Sequence, residues 1–211
     1  MVGYKKNELI KGLVNPLSDG KVRMPAVHNR KLGFLTKDQA AKLLHRLKTE
    51  NGHSYQLTVL LLYTGARFSE VAGLRWSDIN FGDELIYYKP SKDGNARHVK
   101  MTPSVLSIIN DLDENRINEL VIPTKFGNQY EKMPKLFQRV VDELNPGNKT
   151  AGKNRITTHS LRHTHASWLA QAGTDLLIIK ENLGHKRLDT TMIYSHMIIS
   201  TRHEATLALE S

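Results

Sequence analysis

Residues 84–101 read Glu84-Leu-Ile-Tyr-Tyr-Lys89-Pro-Ser-Lys92-Asp-Gly94-Asn-Ala-Arg97-His-Val-Lys-Met101. Residues 84–89 and 96–101 are rich in β-branched and aromatic types. Between them lies a segment of turn residues, and Asp93-Gly94 is a pair that closes hairpins. The stretch predicts two antiparallel strands with Lys92 in their turn.

Outward from this hairpin the pattern is helical. Thr36-Lys-Asp-Gln39 is a capping box, and Ala40, Leu43, Leu44 and Leu47 form one helical stripe behind it. Gly52 reads as the breaker of that helix. Residues 55–63 read as a buried helix, 64–67 as a turn and 68–74 as a further short helix. Beyond the hairpin, helices are expected over 104–116, 130–144, 159–171, 176–182 and 189–195, with a loop over 146–154. The expected fold class is α+β: mainly α-helical, with one small antiparallel sheet.

Composition narrows the function. The 211 residues carry 30 Lys+Arg against 21 Asp+Glu, a formal charge of +9 with histidines neutral. That balance points to a polyanionic partner. No apolar stretch approaches the roughly 20 residues that span a bilayer, and the N-terminus lacks a basic-then-apolar signal pattern. With no cysteine, thiolate nucleophiles, disulfide frameworks and cysteine zinc sites are excluded. A cytoplasmic protein with no membrane partner is expected. Residues 1–31 look like an appendage: seven Lys/Arg against Glu8 and Asp19 make it a basic linker or strap, and the folded domain is expected over 32–211.

Four segments carry candidate chemistry: Thr64-Gly-Ala-Arg67-Phe-Ser-Glu70, Lys92 in the turn, His159-Ser-Leu-Arg162-His163, and Leu183-Gly-His185 with Tyr194 nine residues later. His159 and Arg162, at i and i+3, share a helix face. Thr158 reads as the N-cap, which sets both near backbone N–H groups that favour an anion. Arg67 also stands at a helix start. Two guanidinium forks beside a helix N-terminus suit a pair of phosphate oxygens. A tyrosine with its ordinary pKa of about 10 is a poor nucleophile and needs a nearby base and positive charge. His165 falls on the stripe of Leu161, Trp168, Leu169 and Ala172 and reads as a hydrogen-bonded core histidine rather than a zinc ligand. His163 reads as structural.

Taken in order, these segments resemble the catalytic domain of the tyrosine recombinases, the phage integrase family. That family's pattern is Arg, Lys, His-x-x-Arg, His or Trp, then Tyr. Here it is matched by Arg67, Lys92, His159, Arg162, His185 and Tyr194, with Glu70 at the family's supporting acidic position. Lys92-Asp-Gly-Asn-Ala-Arg97 fits the Lys-x-Gly-x-x-Arg phrase loosely, and Lys89 and Lys100 stand close by. The resemblance covers about residues 32–197 and implies the DNA breaking-rejoining fold. Asn15-Pro16-Leu17 is similar to the end of the core-binding domain that precedes the catalytic domain, so residues 1–31 read as its remnant and the chain as a fragment of a longer integrase.

The resemblance implies site-specific recombination by a phage or mobile element. Tyr194 would attack a scissile phosphodiester and leave a 3′-phosphotyrosine and a free 5′-hydroxyl. Arg67 and Arg162 would bind the non-bridging oxygens, with His185 as a further donor. His159 would act as general base and Lys92 as general acid, with no cofactor, ATP or metal. The implied partners are double-stranded DNA attachment sites, a homotetramer on DNA formed from free monomers, and directionality and DNA-bending factors. The host is a bacterium or its phage. The segment 201–209 could form a tail helix packed in cis or in trans. A non-catalytic DNA-binding fragment, a transposon integrase, a chromosome-dimer resolvase and a metal-dependent nuclease are the alternatives.

Overall fold

The computed structural model describes residues 33–91 and 94–198. The expected basic strap, the boundary near Leu32, the tail helix and Lys92 lie outside the described residues.

Helix α1 (Lys37–Glu50) starts at the expected capping box. The Thr36 hydroxyl accepts from the Gln39 N–H, and the Gln39 amide oxygen accepts from the Thr36 N–H. Its stripe of Ala40, Leu43 and Leu47 is buried. Gly52 does not end this helix but opens the next. Asn51 closes α1, and its side chain caps α2 (Gly52–Thr64) by accepting from the Ser54 N–H at 2.8 Å. A polar cap at residue 51 therefore does what the sequence reading assigned to glycine. Helix α2 is apolar all round. Leu57, Val59, Leu60, Leu61 and Leu62 are at most 1% exposed, which is the signature of a helix running through a core. It packs on α1 and on α6. Burial of each such leucine contributes roughly 1.5–3 kcal/mol.

Gly65, in the left-handed region at φ 64°, ends α2, and α3 (Phe68–Ala72) follows. The hairpin forms as expected, with β2 (Leu85–Tyr88) antiparallel to β3 (Arg97–Lys100). A third strand that the sequence did not signal, β1 (Ile79–Asn80), joins its edge in the order β1-β2-β3. Two residues are too few to show a period of two. The inner face of the hairpin pairs Ile86 with Val99 and Tyr88 with Arg97.

Helix α4 spans Pro103–Glu114. Helix α5 (Lys135–Leu144) begins later than residue 130 because Pro134 sits at its N-cap. A proline bars the residue before it from helical conformation. The loop over 146–154 contains two short 3-10 turns. Helix α6 (Thr158–Gln171) takes Thr157, not Thr158, as its extended N-cap. Thr158 is thus the first helical residue, and Arg162 falls in the second turn rather than the first. Helix α7 (Leu176–Leu183) starts on the Asp175 cap and ends at Gly184, left-handed at φ 68°. Helix α8 (Asp189–Met192) is shorter than expected. Its tail of Thr190, Thr191 and Ile193 is β-branched and helix-poor, and the Tyr194 N–H bonds to Thr191 O three residues back. Tyr194 therefore lies between α8 and a 3-10 turn (Ser195–Met197), not inside a helix.

Two apolar cores result. The larger joins α1, α2, the sheet, α4, α5 and Leu161 of α6. The smaller gathers Ala166, Ala170, Ile179, Leu183 and Tyr194, so the tyrosine ring is itself a core residue.

Candidate active site

Arg67 is the N-cap of α3, and Glu70 reaches back to it. The Glu70 carboxylate accepts the Arg67 N–H at 2.8 Å and Arg67 Nη1 at 3.0 Å. On its other side it accepts both amino groups of Arg97, at 2.7 and 3.3 Å. The Arg97 guanidinium carbon lies over the Tyr88 ring, 4.7 Å from its centroid, and the Tyr88 hydroxyl meets the Thr64 hydroxyl at 3.1 Å. Burial pushes the Glu70 carboxyl up, but the hydrogen bonds and charges of Arg97 and Arg67 outweigh it and hold it below the ordinary value. One buried carboxylate thus fixes two guanidiniums.

Arg162 projects from α6 and is 3% exposed. Its Nη1 donates to Gly65 O at 2.7 Å and its Nη2 to Leu183 O at 2.6 Å. The helix-ending carbonyls of α2 and α7 therefore orient it. A guanidinium carries five donor hydrogens, and these two bonds leave others for a ligand. Burial first, then the charges of Arg67 and Arg97, bring its pKa down to about 10.

Gly184 leads into His185, whose Nδ1 is 2.9 Å from the Thr191 hydroxyl. Burial, followed by the nearby arginines, pushes the His185 ring down to about 3, so it is neutral at pH 7. The hairpin tip docks on the same turn. Ser91 and Gly94 exchange two backbone bonds, and the Asn95 N–H donates to Gly184 O at 3.0 Å. A Cβ on Gly94 would stand 2.5 Å from Arg67 Nη1. Ser91 and Gly94, which flank Lys92 and Asp93 in sequence, are held beside Arg67 and His185.

Tyr194 is 1% exposed, and its hydroxyl lies 2.6 Å from Nδ1 of His163. The resemblance points to His159 as the partner of this hydroxyl, but the structure puts His163 there. His159 is an exposed residue that meets His163 edge-to-face, with 4.7 Å between ring centroids. Partial loss of water around the ring, then the charges of Arg162 and Arg67, lowers His159. Burial, then His159 and Arg162, lowers His163 to about 4. Burial raises the Tyr194 phenol above its usual value, with Arg162 opposing.

Arg67, His159, Arg162, His163, His185 and Tyr194 line one cleft of about 370 Å³, with Lys186 and Arg187 at its side. A larger cleft of about 550 Å³, by Arg75, Trp76 and Arg116, contains none of them. His165 is buried, as read from the sequence. Its nitrogens meet Leu62 O and the Asn182 side chain. Among the described residues no group of three His, Asp or Glu is arranged to hold a metal.

Two residues of the site were named in the sequence without a role in the chemistry: Arg97 only as the end of the Lys-x-Gly-x-x-Arg phrase, and His163 as structural. Arg97 stands two residues before the apolar Val99, on the same inward face of the strand. His163 sits one helical turn after His159, on the face that carries the site.

A sequence profile of the phage integrase family matches residues 33–199. The tyrosine recombinase XerA of Pyrococcus furiosus is 31% identical over 189 residues, covering 88% of this chain and 64% of that protein. The catalytic domain of bacteriophage HP1 integrase superposes with a TM-score of 0.63 at 24% identity, over 83% of this chain and 94% of that one. The Tn1549 transposon integrase, in complex with transposon right end DNA, gives 0.68 at 22% identity, over 84% and 66%. Both structures share the fold. The chain spans just under two thirds of the length of the curated relatives it matches first.

Proposed function

The chain belongs to the phage integrase family, and on that premise we propose that it cleaves and rejoins DNA through a covalent phosphotyrosine at Tyr194. The observation that carries the reading is the convergence of the Tyr194 hydroxyl with Arg67, Arg162 and His185 on one cleft.

The chemistry follows from the charges. Attack of the Tyr194 oxygen on a phosphodiester concentrates negative charge on the two non-bridging oxygens. Arg67, set by Glu70, and Arg162, set by two carbonyls, are preorganised donors for them. Removal of one such donor typically costs about 10²–10³ in rate. His185 is neutral. With the Thr191 hydroxyl donating to Nδ1, its proton sits on Nε2 and serves as a third donor. His163 meets the hydroxyl, and His159 packs edge-to-face on His163. Lys92, which falls between Ser91 and Gly94 in the sequence, is the general acid for the departing 5′-oxygen. The phosphotyrosine keeps the bond energy for religation, so the step draws on neither metal nor ATP. The partner is double-stranded DNA, and a recombining complex holds four protomers on two duplexes.

The test is adduct formation on nicked attachment-site duplexes in EDTA, with wild type beside Tyr194→Phe. An SDS-resistant adduct that disappears with the substitution supports the reading. An adduct that persists in Tyr194→Phe overturns the nucleophile, and strand cleavage that EDTA abolishes points to a metal-dependent nuclease instead. DNA binding without an adduct favours a binding module.

A further inference from the structure

The shortest polar contact at the nucleophile is with a residue outside the family pattern that the sequence matches. The Tyr194 hydroxyl is 2.6 Å from His163 Nδ1, inside hydrogen-bond range and short for a neutral pair. The ring of Tyr194 is buried in the smaller core with Ala166, Ala170, Ile179 and Leu183. His159 touches the side of His163 and not the hydroxyl.

We propose that His163 is the base of strand cleavage: its Nδ1 holds the Tyr194 hydroxyl and takes its proton as the phenolic oxygen attacks. This rests on the reading of Tyr194 as the nucleophile.

The step balances. A lone pair of the Tyr194 oxygen forms the Oη–P bond, and the P–O5′ bond breaks with its electron pair leaving on O5′. The phenolic proton goes to His163 Nδ1, and the proton for O5′ comes from the general acid. On religation the His163 imidazolium returns its proton to the phenolic oxygen.

Resting protonation suits this role. The groups that face His163 are Tyr194, His159, Arg162 and His185, and burial with the charge of its neighbours keeps its ring neutral near pH 7. A neutral ring with Nδ1 unprotonated accepts the hydroxyl proton in a hydrogen bond. It does not strip it, because burial also disfavours the phenolate. A bound phosphodiester changes the balance. Its negative charge beside Arg162 offsets the cation that depresses His163 and raises the basicity of Nδ1. The base thus becomes competent only when DNA is in the cleft, and the free protein carries no phenolate.

The test measures single-turnover adduct formation on a nicked duplex with His163→Gln, His163→Ala, His159→Gln and wild type, alongside DNA affinity and thermal unfolding. Glutamine can accept the hydroxyl bond but cannot take the proton. Both His163 variants are expected to lose about 10²–10⁴-fold in adduct rate with DNA affinity kept. Replacing Tyr194 by the more acidic 3-fluorotyrosine is expected to recover rate in the His163 variants and not in His159→Gln. A wild-type rate in His163→Gln, or recovery confined to His159→Gln, overturns the proposal. Should the His163 variants not fold, nitrogen NMR of the intact chain decides. The His163 Nδ1 resonance must shift on Tyr194→Phe and must report a protonated nitrogen in the trapped covalent complex, and no shift overturns the assignment. Absence of any adduct from the wild type overturns the nucleophile reading itself, and this inference with it.

Discussion

Glu70 and Arg97 form a two-point ion pair in the interior, with Nη2 to Oε2 at 2.7 Å and both side chains less than a tenth exposed. The pair spans α3 and β3 and holds the carboxylate that also orients Arg67. Removing one partner strands a buried charge, which typically costs about 3–5 kcal/mol. Arg97→Ala and Glu70→Ala are each expected to lower unfolding free energy by about that amount in urea titrations. Glu70→Ala is also expected to reduce adduct formation more than Arg97→Ala does, because it releases Arg67 directly. Equal stability of Arg97→Ala and wild type would sink this account.

Stability should fall as the medium is acidified below pH 6.5. His163 and His185 are held neutral in the fold, down to about 4 and about 3, against an ordinary value of 6.5. Between those limits the unfolded chain binds more protons than the folded one, so unfolding free energy rises with pH and drops as pH falls. Each histidine contributes a slope of up to about 1.4 kcal/mol per pH unit. Glu70, held below its ordinary 4.5, adds a loss in the same direction below that pH. Urea titrations between pH 7 and 4 give the slope, and His185→Asn should flatten it.

The legible and illegible parts of this protein divide by the range of the interaction. The Thr36 capping box, the stripe of α1 and the hairpin are local patterns, and the structure has them where the sequence put them. The ordered set of Arg67, His159, Arg162, His185 and Tyr194 was legible through the family resemblance, and these residues line one cleft. The partner of the Tyr194 hydroxyl was not. It depends on how the segment after α8 lies against α6, a contact between residues 31 apart. Arg97 was hidden for the same reason, since its carboxylate partner is 27 residues away. The short β1 and the early end of α8 escaped because weak local preference left tertiary bonds to decide.

Gly65 is expected to tolerate no side chain. Its φ is 64°, and a Cβ would lie 2.6 Å from His165 Cδ2. Left-handed backbone costs alanine roughly 1–2 kcal/mol, and the clash with a buried ring adds to it. Its carbonyl also anchors Arg162. Gly65→Ala should therefore lose stability by more than about 1–2 kcal/mol and lose adduct formation as well. Calorimetry and the adduct assay check both. Full activity with unchanged stability would contradict the role given to this turn.

Thr191 acts on the site through His185. Its hydroxyl is the partner of Nδ1 at 2.9 Å, and both residues are buried. In the tautomer whose Nδ1 accepts from this hydroxyl, Nε2 carries a proton for a phosphate oxygen. Thr191→Val keeps the shape and deletes the hydroxyl. A buried hydrogen bond of this kind is worth about 0.5–1.5 kcal/mol, and the unsatisfied ring nitrogen adds about 1–3 kcal/mol. The variant should bind DNA like wild type, because the hydroxyl itself does not line the cleft. Its cleavage rate should fall by about tenfold or more, since 1.4 kcal/mol of lost transition-state stabilisation is one decade. Thr191→Ser, which restores the hydroxyl, should recover most of that rate. If serine does not rescue, the loss in valine comes from packing and His185 is not positioned by this bond.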